Sequence, residues 1–283
     1  MTTLHRRRLL TAGAGLAVFP SLLATGCSPS SETSEEFAPS ASSGTTTRAA
    51  TAVPASPLAG GTAGPARPVG GATAVSRSPR RLPGQPEQIE HGPRSRPRVA
   101  LTFDGDGEPR TARAMLRTLA EHRVHATVLA VGTWLGADPG LARAILDGGH
   151  ELGNHTEHHR DINALPEAEA RAEIEDCARR LRRLTGGIGA WFRPSRAHDA
   201  NTVVRALARK AGYPHVLSYD IAPLDYRDPG SAAVTRRVLD AARPGGIITL
   251  NMGRAGTLEA LPDILDGLGR RGLDVGTASA LLV

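Results

Sequence analysis

From about residue 98 onward, short apolar runs alternate with stretches whose apolar residues recur every three or four positions. The first kind reads as buried strands, the second as helices that lay one face on a core. Strands are predicted at 99–103, 126–131, 151–153, 191–192, 215–219 and 247–250, with a last one near 273–275. Helices are predicted at 111–122, 141–147, 167–184, 202–211, 232–242 and 258–268. Along 167–184, Ile174, Cys177, Ala178, Leu181 and Leu184 share one helical face. Repeated strand-then-helix units imply parallel strands joined by right-handed crossovers. About seven such units within 98–283 suit a single α/β domain, a distorted and incomplete (β/α) barrel, better than a full eightfold one. In such folds the chemistry gathers where strands end. Asp104, His155, Arg193, Asp220 and Asn251 each follow a predicted strand, so they are expected to converge on one mouth.

The pattern upstream is different. Residues 1–28 read as an export signal, with Arg6-Arg7-Arg8 before an apolar run broken by Gly13, Gly15 and Pro20. That run is too short and too interrupted for a comfortable membrane span. Ala24-Thr25-Gly26-Cys27 resembles a bacterial lipobox, which would make Cys27 a lipid-bearing N-terminus on the outer face of the cell membrane. Ordinary signal cleavage and an uncleaved anchor are the alternatives. Residues 29–97 are Ser, Thr, Ala, Gly and Pro with scattered Arg and almost no large apolar side chain. Such a segment cannot bury enough surface to offset its ordering entropy, so it reads as a disordered tether.

The formal net charge of +6 comes mostly from these first 97 residues, since 98–283 holds 24 Lys and Arg against 23 Asp and Glu. No basic face with interleaved aromatics appears there, which argues against nucleic-acid binding. No protein partner is indicated. Of the two cysteines, Cys27 lies in the leader and Cys177 on a helical face, where it packs as a small apolar group.

The chemistry is densest at Gly149-His150-Glu151-Leu152-Gly153-Asn154-His155-Thr156-Glu157-His158-His159. On a helical turn His155 and His159 would share one face, close enough to hold a single metal ion. Two imidazoles and a carboxylate leave a coordination position open for reactive water. Histidines of surface or core with no metal are the bland alternative.

Together these stretches resemble the polysaccharide deacetylases of carbohydrate esterase family 4, the NodB homology domain, over about 98–283. Thr102-Phe103-Asp104-Gly105-Asp106-Gly107 resembles the first motif, usually Thr-Phe-Asp-Asp-Gly, and the resemblance makes Asp104 the general base. The second acidic residue of that motif, a metal ligand, is Gly105 here; Asp106 either replaces it or merely forms an Asp-Gly turn. His155-Thr156-Glu157-His158-His159 matches the second motif, which implies His155 and His159 as metal ligands. Phe192-Arg193-Pro194-Ser195-Arg196 resembles the third, usually Arg-Pro-Pro-Tyr-Gly; Arg193 would orient Asp104, and the backbone N–H of Arg196 would meet an oxyanion. In the fourth, Asp225 corresponds to the carboxylate that tunes a catalytic His, and Tyr226 to an aromatic wall. The fifth, normally Leu-x-Leu-His, ends here in Asn251, which cannot act as an acid.

The resemblance therefore implies a divalent metal, zinc in the first place, and a substrate that is an acetylated polysaccharide or peptidoglycan. The expected activity is hydrolytic removal of acetyl groups from an envelope glycan. A glycan-binding lipoprotein without turnover is the main alternative, and an amide hydrolase of small molecules a lesser one.

Overall fold

The computed structural model describes residues 78–283; residues 1–28, read above as an export signal with Cys27, and residues 29–77 of the expected tether lie outside them. The first element is a short strand, β1 (Gln88–Ile89). β2 (Arg98–Gly105) leads through α1 (Pro109–Glu121) to β3 (Thr127–Ala130), α2 (Gly132–Ala137), α3 (Pro139–Asp147) and β4 (Glu151–Asn154). α4 (Glu167–Thr185) and α5 (Thr202–Lys210) precede β5 (Val216–Leu217). α6 (Ser231–Ala241), β6 (Ile247–Met252), α7 (Ala255–Arg270), β7 (Asp274–Gly276) and α8 (Ala278–Leu282) complete the chain.

All pairing is parallel, in the order β4-β3-β2-β6 with β7 also on β2, and β1 paired to β5. Between β4 and β6 the ladder is not closed; only isolated bridges at Phe192, Val216 and Ile221 cross the gap. The barrel is thus distorted and incomplete, as the strand-helix alternation implies. The predicted strand at 191–192 is reduced to the single residue Phe192, which bridges Asn154 and Val216.

The helices start where local chemistry caps them. Glu108 accepts the N–H of Thr111 ahead of Pro109, Asp138 accepts that of Gly140 ahead of Pro139, and Asn201 accepts that of Val204. α4 stops at Gly186, whose φ of 78° suits a left-handed cap. Outward-facing Val99, Leu101 and Phe103 pack under the helices with Leu119, Ile264 and Leu268. Inward-facing Ala100 joins Leu129, Leu217 and Ile247 inside the barrel. Cys177 is fully buried among the helix-side residues, and burial pushes its thiol pKa up, which makes it inert.

Residues assigned to the tether belong in part to the domain. Ile89 is 1% exposed, plugs the barrel interior, and pairs with Leu217. Burying one such side chain contributes about 1.5–3 kcal/mol, which offsets the ordering of one or two residues and helps fasten a segment that composition alone would leave loose. Among the described residues, no helix is long and apolar enough to cross a membrane.

His150, just before β4, is buried and its Nδ1 accepts the backbone N–H of Ala126 at 3.1 Å. Burial, with repulsion from His125, pushes its pKa down to about 4. The unfolded chain takes up this proton near pH 6.5 and the folded one only near 4, so stability falls between those values on acidification. The loss expected is on the order of 3 kcal/mol. Urea unfolding at pH 7 and pH 4 measures it: His150→Asn, which keeps an acceptor but cannot titrate, is expected to lose correspondingly less than the wild type. Equal losses would assign the acid sensitivity elsewhere.

Candidate functional site

Because side chains alternate along a strand, β2 turns Thr102 and Asp104 into the barrel mouth. Arg193, 1% exposed, follows the Phe192 bridge and spans that mouth. Its Nη1 donates to Asp104 Oδ1 at 2.9 Å and to Thr249 Oγ1 at 3.0 Å. Its Nη2 donates to Thr102 Oγ1 at 2.9 Å and to the Ser218 carbonyl at 3.2 Å, and its Nε to the Leu217 carbonyl at 3.1 Å. All five guanidinium N–H groups are thereby used. Burial alone would raise the pKa of Asp104, but the charges of His155 and Arg193 and the Arg193 hydrogen bond outweigh it and hold the carboxyl below its usual value.

His155 leaves β4 and is buried beside this pair. Its Nδ1 lies 3.1 Å from the Arg193 carbonyl, so Nδ1 carries the proton and donates. That leaves the lone pair on Nε2, which is buried without a hydrogen-bond partner, 3.8 Å from Asp104 Oδ2. Burial pushes the His155 pKa down to about 4, against the pull of Asp104. A neutral imidazole with an unpartnered lone pair aimed into a polar cavity is the state that ligates a metal.

The expectation of a helical turn between the two histidines does not hold. Thr156 and His159 adopt φ of 69° and 56°, and the segment is a loop. Asn154 Oδ1 takes the Thr156 N–H and Thr156 Oγ1 takes that of His159, which satisfies the loop locally. The loop nevertheless brings the two imidazoles together, with ring centroids 5.0 Å apart. His158 points away and pairs with Glu173.

Asp225, 3% exposed, accepts three hydrogen bonds: from Asn251 N at 2.7 Å, Asn251 Nδ2 at 2.8 Å and Thr257 Oγ1 at 2.7 Å. It therefore holds Asn251, where the motif would have it hold a histidine. Asp220 is not at the mouth: it takes Arg94, Arg243 and the N–H of Ile247. The strand before it ends at Leu217, and Asp220 lies beside Ile247 at the start of β6, the end away from Asn251.

Asp104, His155, His159, Arg193, Asp225 and Asn251 line a cavity of about 430 Å³, together with half-exposed Tyr226 and with Asp106. Asp106 Oδ1 accepts the N–H of Gly107, as an Asp-Gly turn would, while Oδ2 stands 3.8 Å from His159 Nδ1. His198 and Tyr219 also line it and were not foreseen. Tyr219 ends a predicted strand, a usable signal, and its ring lies 5.3 Å from the Arg193 guanidinium. His198, bonded to Asp199 and to the Tyr219 carbonyl, had no local signal. A larger hollow of about 590 Å³ around Leu82, Trp191 and Ala280 has no His, Asp or Glu in its lining. It adjoins the strand starts, away from this chemistry.

As the side chains stand, no three His, Cys, Asp or Glu among the described residues surround one point. The buried lone pair on His155, with the imidazole of His159 beside it, still fits a divalent ion in donor type.

A polysaccharide deacetylase family model matches residues 91–216. The chitooligosaccharide deacetylase of Bradyrhizobium sp. (strain ANU 289) is 30% identical over 200 residues, covering 62% of this chain and 87% of that protein. The peptidoglycan-N-acetylglucosamine deacetylase of Bacillus cereus is 30% identical over 188 residues, covering 65% of this chain and 87% of that protein. Among solved structures, a carbohydrate esterase family 4 pseudoenzyme from Bacillus anthracis superposes with a TM-score of 0.66 at 25% identity, over 70% of each chain. A mutant of it with restored enzymatic activity gives a TM-score of 0.66 at 26% identity, over 70% of this chain and 72% of that one. On the extent of these matches, this chain belongs to the polysaccharide deacetylase family.

Proposed function

We propose that this protein is a metal-dependent hydrolase that removes acetyl groups from an N-acetylated glycan of the cell envelope, such as peptidoglycan. The observation that carries the proposal is the buried Arg193–Asp104–His155 cluster at the barrel mouth. A divalent ion held by His155 and His159, zinc in the first place, would supply a Lewis acid for the acetamide carbonyl and lower the pKa of water. Asp104 is the base positioned to take a proton from an attacking water. Its Oδ1 is committed to Arg193, which leaves Oδ2 for the transfer. Arg193 keeps the carboxylate ionised and fixes its orientation. The backbone N–H of Arg196 is the donor assigned to the developing oxyanion. Tyr226 offers an aromatic face at the rim to a sugar ring.

Asn251 favours a second reading, a glycan-binding protein of the same fold with little or no turnover. It hydrogen-bonds through Asp225 but cannot protonate a leaving amine. The pseudoenzyme neighbour belongs to the same family and so supports this reading too. Acetate release from chitin oligomers and peptidoglycan by the full chain loaded with zinc or cobalt distinguishes the two. Release supports the hydrolase. Stoichiometric metal uptake without acetate on any acetylated glycan supports the binding protein. We further propose export and anchoring to the outer face of the membrane through lipidated Cys27, supported by the Arg6-Arg7-Arg8 start and the lipobox-like Ala24-Thr25-Gly26-Cys27.

A further inference from the structure

The motif's second acidic residue falls at Gly105, and β2 leaves no place for it there. Pairing continues through Gly105, opposite Ala130 on one side and Met252 on the other. Alternation therefore turns position 105 away from the cavity that Asp104 faces. A Cβ at 105 would stand 2.9 Å from Trp134 Cζ3 and 3.0 Å from both Ala130 Cα and Val128 Cγ1. The Ala130 contact is backbone and cannot yield cheaply.

Asp106 is next in line and returns to the cavity side. The turn that presents it is fixed from several directions. Trp134 Nε1 donates to the Gly107 carbonyl at 3.0 Å, and Glu108 N donates to the Gly253 carbonyl at 3.4 Å. Gly107 has φ of 92°, a conformation that glycine adopts readily. Trp134 thus fills the space behind Gly105 and also holds the loop that aims Asp106 inward.

An independent observation points to a ligand at the same place: His155 Nε2, in a side chain 2% exposed, is unpartnered. Ligand atoms on one tetrahedral zinc lie about 3.3 Å apart, given bonds of ~2.0–2.1 Å. Asp106 Oδ2 is 3.8 Å from His159 Nδ1. Asp106 is 53% exposed, so its side chain can rotate to close that gap. We propose that Asp106 is the carboxylate that completes the metal set with His155 and His159, in place of residue 105. This rests on the metal-dependent reading of the site given above.

Zinc affinity of the full chain, measured by competition with a chromophoric chelator, and the visible absorption of its cobalt form test the proposal. Asp106→Asn is expected to lose more than the ~10–100-fold typical of an outer-shell change and to alter the cobalt spectrum. Asp106→Glu is expected to recover part of the affinity. Gly105→Asp is expected to gain none and to lower the melting temperature. If Asp106→Asn binds zinc as the wild type does, if Gly105→Asp tightens binding, or if Asp104→Asn is instead the variant that loses the ion, the assignment is wrong while the metal reading stands. If the wild type takes up neither ion, both fail.

Discussion

Asn251→His is expected to raise kcat/KM for deacetylation of chitin oligomers by roughly 10²-fold or more at neutral pH, since a positioned general acid typically contributes ~10²–10⁴-fold. The setting for such an acid is already built. Asp225 is buried and accepts from Asn251 Nδ2 and from Thr257 Oγ1. An imidazole at position 251 would donate one N–H to the same carboxylate, which fixes its tautomer and favours the imidazolium. Its other nitrogen would then face the cavity that Asp104 and His155 line. There it could protonate the amine released from the acetamide. The gain should carry its own pH signature, a decline on the alkaline side where the imidazolium loses its proton. Steady-state rates from pH 5 to 9 on wild type and variant check both points. An unchanged rate, or a gain without the alkaline decline, would mean that the proton reaches the leaving amine from another group.

The same residues show what a sequence can and cannot reveal. β2 and α4 were legible because each is long and one-sidedly or continuously apolar, so pattern alone sets their type. α2 was not, because its six residues include two glycines and show no period. Yet α2 supplies Trp134, which decides what can stand at position 105. The strand-end rule found Asp104, His155, Arg193 and Asn251 because each lies at the C-terminal end of a strand or just past the Phe192 bridge, although β2 and β6 each run two residues beyond their apolar runs. It misplaced Asp220 because β5 stops two residues short of its apolar run. The His155 and His159 spacing suggested a helix, whereas two left-handed residues give the approach instead. Backbone conformation of that kind follows from the Asn154 and Thr156 side-chain bonds, which no spacing rule anticipates. The start of the domain was set too late, since one buried residue in a polar segment, Ile89, reveals itself only through its strand partner.

Arg193→Leu is expected to destabilise the domain by about 3–5 kcal/mol at pH 7, the range for removing one partner of a buried ion pair, and to abolish turnover. The guanidinium neutralises Asp104 and also satisfies the carbonyls of Leu217 and Ser218. Arg193→Lys is expected to fall between, since one ammonium can meet the carboxylate but cannot reach all the acceptors around the mouth. The pH dependence separates the charge effect from lost hydrogen bonds. In the wild type the folded-state pKa of Asp104 is lowered, so the carboxylate adds stability above its ordinary value of 3.8 and loses it as pH falls through the folded pKa. Without Arg193, its charge and its hydrogen bond no longer oppose burial, so that pKa moves up from its wild-type position. The folded variant then takes up the proton more readily than the folded wild type does, and acidification costs it less stability. The stability gap between the two proteins should therefore narrow from pH 7 to pH 4 in urea unfolding. A gap that stays constant would mean that Arg193 serves the backbone carbonyls and not the carboxylate, and Asp104 would lose its standing as the ionised base.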